Sequence, residues 1–313
     1  MILTDYFRSE KDITWDLARQ CGVEYGVIRL PEDKEFDLTD STHWEQVYNK
    51  FINYGIKPII IEPMPNAVHE HIKAGDRYRD ESIEKVIKMF PIMNKLGIQN
   101  ICFNWMAYIG WLRTSNDVVE RGGAYVTEFD MENFKSTEYS ITEKELWTNY
   151  KYFLDAIIPA AEKYEIRLSL HPDDPPVPKL GNVARIMISA ENIRKAIYNI
   201  HPSDMLGITM CQANYFIMGE NVEKVIEDFE KKIFFIHFRN TTGNINKFRE
   251  TFHDNGELDM GKLLKHYKNL GIDVPIRVDH VPTMKNESAE VAGYAAIGRL
   301  FAIGYLKGLL EQI

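Results

Sequence analysis

The sequence predicts a closed (β/α)8 TIM barrel, and three observations carry that prediction. Short β-branched or aromatic runs alternate with longer stretches of 3.6-residue periodicity from one end of the chain to the other. Runs such as Phe234-Phe235-Ile236 are apolar at consecutive positions, as expected of strands buried on both faces. No G-x-G-x-x-G follows the early strands, which weakens a doubly wound dinucleotide-binding sheet.

Taken in order, strands are expected at 2–6, 25–30, 58–62, 100–104, 166–171, 206–211, 233–238 and 275–279. Helical patterns fall at 12–20, 43–55, 80–96, 142–164, 189–200, 220–231, 260–270 and 293–311. Gly97 and Gly271 stop two of these helices and Asp259 opens another. Strand–helix alternation repeated eight times fits a closed barrel better than an open sheet. With no low-complexity tract or Pro/Ser linker, residues 1–313 are expected to form one domain. Two connections are long, at 105–141 and 239–259, and both belong on the C-terminal face, where barrels build their active sites.

The 313-residue chain carries 46 Asp and Glu against 37 Lys and Arg, a net charge of -9. That balance excludes a general nucleic-acid binder, whose affinity needs a basic footprint. It leaves room for a small anionic substrate, which answers to local charge alone. Three cysteines, Cys21, Cys102 and Cys211, are too few for a disulfide framework. The first residues show no apolar stretch behind a basic start, and runs such as Pro58-Ile59-Ile60-Ile61 are far too short to span a membrane. A soluble, cytoplasmic protein is expected, and the Met, Phe and Tyr content is compatible with a homo-oligomer without locating its interface.

Four potential metal ligands stand at the ends of four successive expected strands: His171, Cys211, His237 and Asp279. A barrel directs strand-end side chains towards one axis, so consecutive strands can surround a single cation. Imidazole, thiolate and carboxylate together suit a divalent transition ion with a position left for substrate oxygens. A lone His or Cys at a strand end is ordinarily a packed residue, and the signal lies in the set. His280 points to a different side from its neighbour Asp279 and is placed to move protons beside the metal. Arg239, two residues after His237, shares its side if the strand continues and could clamp a substrate carboxylate. Arg277 could support the metal site or form an ion pair in the barrel core. In His171-Pro172-Asp173-Asp174-Pro175-Pro176, two acids between prolines form a stiff loop that could orient His171.

These segments together resemble the D-mannonate dehydratase family, within the xylose-isomerase-like barrels. The resemblance rests on His171 to Pro176, Cys211, His237-Phe238-Arg239, Arg277-Val278-Asp279-His280 and Gly293-Tyr294-Ala295-Ala296-Ile297-Gly298-Arg299-Leu300. Asn104-Trp105-Met106, Trp111-Leu112-Arg113-Thr114, Phe248-Arg249-Glu250 with His253, and Gly256-Glu257-Leu258-Asp259-Met260 extend it. The resemblance implies a hydro-lyase that converts D-mannonate to 2-keto-3-deoxy-D-gluconate and water. It implies His171, Cys211, His237 and Asp279 around Mn²⁺, with Fe²⁺, Co²⁺ or Zn²⁺ also suited to those donors. It implies His280 and Tyr294 as the acid/base pair, in an unassigned order, and Asn104, Arg113 and Arg239 against the sugar acid.

The chain also departs from the family. The family's Arg-Trp-Tyr-Gly start is absent, Ile28-Arg29-Leu30-Pro31 replaces an Ala-Leu-His segment, and Gln212-Ala213-Asn214 lacks a central glycine. Val281-Pro282 stands where Gly-His is usual. The expectation is retained metal chemistry with altered substrate-facing loops. The alternatives are a metal-dependent sugar isomerase or epimerase of the same barrel group, and an inactive sugar-acid-binding barrel.

Overall fold

The computed structural model describes residues 1–288 and 291–313. Eight parallel strands follow one another round a ring: Ile2–Phe7, Tyr25–Ile28, Lys57–Ile61, Asn100–Phe103, Arg167–Leu170, Leu206–Cys211, Ile233–Phe238 and Pro275–Val278. The first strand pairs with both the second and the eighth, so the barrel closes. Two strands match the expected bounds and the other six begin or end within two residues of them. His171 and Asp279 therefore stand one residue beyond their strands, whereas Cys211 and His237 lie within theirs and are register partners.

The helices form because their ends are capped and one stripe of each is apolar. Asp12, Asp40, Ser189, Asn221 and Asp259 accept the exposed amides of the first turn, and Thr142 and Glu145 make a reciprocal capping box. Buried stripes such as Leu146, Tyr150, Phe153 and Ile157 of Glu143–Lys163 pack onto the outside of the barrel. Each such large apolar side chain contributes roughly 1.5–3 kcal/mol of burial energy. Inside the ring, Val27, Ile60, Cys102 and Phe235 make a small apolar plug. A polar layer lies with it, in which Ser169 donates to Asn100 at 2.6 Å and Thr209 donates to the Ser169 carbonyl at 3.3 Å.

Three features differ from the expectation. Helices at Asn66–Ala74 and Gln212–Ile217 were not anticipated; both are short and neither has a side-chain cap to announce it. The helix expected at 189–200 changes after Arg194 to a wider π-helical turn, Lys195–Ile200. The helix expected at 293–311 begins at Ala296, because Gly293 adopts φ 81° and Val281 bridges to it. Gly298 then lets that helix press on the preceding loop, since a Cβ there would collide with the Pro282 carbonyl.

The two long connections do not stay apart. Ser115–Val119 and Tyr125–Asp130 from the first join Thr241–Asn244 and Lys247–Glu250 from the second in one antiparallel sheet. Phe129, Val177, Leu180, Ile217 and Phe248 form its own core. Thr283 bridges to Tyr125, tying the loop after the eighth strand to the same sheet.

Candidate active site

A cavity of about 670 Å³ opens on the C-terminal face, lined from the ends of strands one to five, seven and eight. His171 and His237 line it, and their donor atoms and that of the fully buried Cys211 lie within 4.8 Å of one another. His171 Nε2 is 3.2 Å from His237 Nδ1, and the same His237 nitrogen is 3.5 Å from Asp279 Oδ2. The four strand-end residues are thus brought to one place.

Each imidazole is held from behind. His171 Nδ1 lies 2.6 Å from the Pro172 carbonyl, and His237 Nε2 lies 3.0 Å from Glu62 Oε1. That leaves His171 Nε2 and His237 Nδ1 facing the shared point, the arrangement by which ligating histidines are oriented. Sequence reasoning assigned the orienting of His171 to Asp173 or Asp174, and this is corrected: a backbone carbonyl does it. Asp173 instead accepts the amides of Ile186 and Met187, and Asp174 pairs with Arg113 and Arg239.

Two charge networks frame the floor. Arg277 reaches both Glu62 at 2.9 Å and Asp279 at 2.8 Å, so it forms the ion pair considered for it. Burial opposes the charge on Glu62, but Arg277 and then His237 hold its carboxyl far below the usual range. Burial and Arg277 disfavour protonation of His237, yet Glu62 and Asp279 outweigh them and lift it to about 9. In the second network Arg113 and Arg239 clamp Asp174 and Glu250. Arg113 donates to both Asp174 oxygens at 2.7 and 3.0 Å, and Arg239 donates to both Glu250 oxygens at 2.8 and 2.5 Å. Against the cost of burial, Arg239 and Arg113 hold Glu250 down at about 2.

Glu250 also reaches His280. Its Oε1 is 3.1 Å from His280 Nδ1, and His280 Nε2 is 3.2 Å from Tyr294 Oη. Carboxylate, imidazole and phenol stand in line, with Trp111 5.0 Å from the His280 ring. Burial lowers the His280 pKa despite Asp279 and Glu250, and burial pushes the Tyr294 phenol well up. His280 sits at φ 35°, a region that non-glycine residues occupy only when their surroundings enforce it.

The structure places the remaining predicted residues as follows. Asn104 lines the cavity, with its Oδ1 accepting from the Met106 amide and Lys73. Arg113 and Arg239 do not line it. The Arg239 side chain is 0% exposed, and its guanidinium donates to Glu250, Asp174 and Asn214. The carboxylate clamp expected of Arg239 is therefore corrected: its strand stops at Phe238, and the side chain turns behind the cavity wall. Glu62 and Glu250 received no role from the sequence. Neither carries a local signal, because Glu62 meets its partner 215 residues away and Glu250 comes in on the hairpin of a long connection.

A family model for D-mannonate dehydratase (UxuA) matches residues 2–141 and 131–313. A mannonate dehydratase of Brachyspira hyodysenteriae is 28% identical over 353 aligned positions, covering 100% of this chain and 98% of the relative. One from Streptococcus agalactiae is 30% identical over 302, covering 86% and 85%. The crystal structure of mannonate dehydratase from Streptococcus suis serotype 2 superposes with a TM-score of 0.90 at 25% identity, covering 100% of this chain and 93% of that one. A D-tagatose 3-epimerase-like protein, at a TM-score of 0.66 and 14% identity, shares the fold alone.

Proposed function

Since the chain belongs to the D-mannonate dehydratase family, we propose that it removes water from D-mannonate to give 2-keto-3-deoxy-D-gluconate. One observation carries this reading: the Glu250–His280–Tyr294 line and the His171, Cys211, His237 and Asp279 donors converge on one cavity.

Ionised Glu250 accepts the Nδ1 proton of His280, which leaves Nε2 with a lone pair towards the cavity. Burial keeps His280 neutral, so Nε2 is the base that takes the proton from C2 of the sugar acid. Burial keeps the Tyr294 phenol protonated, so Tyr294 is the acid. It gives its proton to the departing 3-hydroxyl, which leaves as water, and the enol that remains ketonises to the 2-keto acid. At 3.2 Å from Tyr294 Oη, His280 Nε2 can return the proton it gained and reset the pair.

The donor set fits a divalent cation: two imidazole nitrogens face each other, each backed by an acceptor, beside a thiol and a carboxylate. We assign Mn²⁺ to His171, Cys211, His237 and Asp279, while Fe²⁺, Co²⁺ or Zn²⁺ suits the same donors. When bound, the ion stabilises negative charge developing on the substrate oxygens. The three free cysteines support placement in a reducing compartment, the cytoplasm, and among the described residues no helix is long and apolar enough to cross a membrane.

The test is a pair of variants, His280→Ala and Tyr294→Phe, assayed for turnover and for metal content. Both should lose turnover by roughly 10²- to 10⁴-fold while metal per chain is unchanged. Normal turnover in either variant rejects the acid/base assignment.

A further inference from the structure

Resting on that reading, we propose that Arg8 is the residue that binds the substrate's carboxylate. The cations lining the cavity are Arg8, Arg29, Lys73, Arg277 and Arg299. Arg29 is bonded to Glu32 at 2.6 Å, and Lys73 to Glu70 at 2.5 Å and the Met106 carbonyl at 2.8 Å. Arg277 is shared between Glu62 and Asp279, and Arg299 donates to the Tyr6 carbonyl at 2.8 Å. Among the described residues, Arg8 alone of the five has no side-chain partner, and it is exposed at the mouth.

Charge bookkeeping gives that free guanidinium a purpose. The substrate enters as an anion, and removal of its C2 proton places more negative charge on its oxygens. Arg113 and Arg239 are balanced by Asp174 and Glu250. A divalent ion held by Cys211 as thiolate and Asp279 as carboxylate has both positive charges offset by its own ligands. The uncommitted positive charge on the cavity wall is that of Arg8.

Position agrees with charge. Tyr6 lies within the first strand and Arg8 one residue beyond its end at Phe7, and both side chains line the cavity. The Tyr6 ring lies 5.7 Å from that of Tyr294, so the strand end that leads into Arg8 adjoins the acid/base pair, and all three residues line one cavity. A guanidinium offers two parallel donors to a carboxylate and adapts little, so it fixes the orientation of the acid as well as its affinity.

The experiment is calorimetric binding of D-mannonate and of its uncharged amide, D-mannonamide, to metal-loaded His280→Ala protein with and without Arg8→Gln. The His280→Ala background halts turnover, so the reading is of binding alone. Loss of one charge-assisted contact should weaken D-mannonate roughly ten- to hundredfold, leave the amide within about threefold, and be only partly restored in Arg8→Lys, whose ammonium returns the charge without the paired donors. Equal affinity for the acid with and without Arg8→Gln overturns the proposal, as does an equal loss for acid and amide. Binding of neither compound to the Arg8-containing protein overturns the sugar-acid reading itself, and this proposal with it.

Discussion

The two sides of the cavity are built on opposite principles. Where the fifth, seventh and eighth strands end, with Glu62 reaching in from the third and Arg113 from the connection after the fourth, the charged groups are matched within hydrogen-bond reach and shut away from water: Arg277 with Glu62 and Asp279, Arg113 and Arg239 with Asp174 and Glu250. Around the first two strands the rim is more open, with Arg8 exposed and Arg29 held by the neighbouring Glu32 and by Tyr6. The buried side has its dipoles and charges in place before substrate arrives, which is what stabilises charge at a reacting centre at little reorganisation cost. The open side has spare charge and freedom, as a recognition surface requires. The chain's departures from the family fall on both sides: at its start and at Ile28-Arg29-Leu30-Pro31 on the open rim, and at Gln212-Ala213-Asn214 and Val281-Pro282 on the buried one.

The largest effect expected from breaking this contrast belongs to His280→Ala and Tyr294→Phe, whose cost falls on kcat. Next comes Glu250→Ala, which leaves Arg113 and Arg239 with one carboxylate between them in a buried site. Chemical denaturation should show a loss of about 3–5 kcal/mol, the usual cost of orphaning a buried charge. Arg29→Ala on the open rim should stay within about 0.5 kcal/mol in the same assay. Equal losses for the two variants would erase the distinction between the sides.

A smaller effect, read by pH, tests the apolar layer between the barrel and its helices. His69 packs among Phe103, Trp105 and Phe153 with neither ring nitrogen hydrogen-bonded, and burial followed by Lys73 drives its pKa well below 6.5. The unfolded chain therefore takes up this proton first. Stability is full above the unfolded value and falls as pH drops through about 6.5, by at most about 1.4 kcal/mol per pH unit from this group. Between pH 7 and 5 the His69→Leu variant should show a flatter stability profile than the parent; an unchanged slope would contradict the assignment.

The barrel and the convergence of His171, Cys211, His237 and Asp279 were legible because strand ends in a closed barrel share an axis, a property that needs no knowledge of loops. What lay beyond reach was set by tertiary pairing. The long connections were expected on the correct face, yet nothing local foretold that Lys247–Glu250 would pair with Tyr125–Asp130 and carry Glu250 to His280. Arg239 was misplaced for a related reason: side-chain alternation applies only while the strand lasts, and it ends one residue earlier, at Phe238. Asn66–Ala74 escaped notice because Pro65 opens it without a capping side chain.

The measurement that tests the central claim most directly is mass spectrometry of D-mannonate after incubation with the purified, Mn²⁺-loaded protein. The account predicts a product lighter by one water, formed by the parent protein and absent with His280→Ala. Product of unchanged mass, or unaltered substrate recovered from folded, metal-bearing protein, would contradict it.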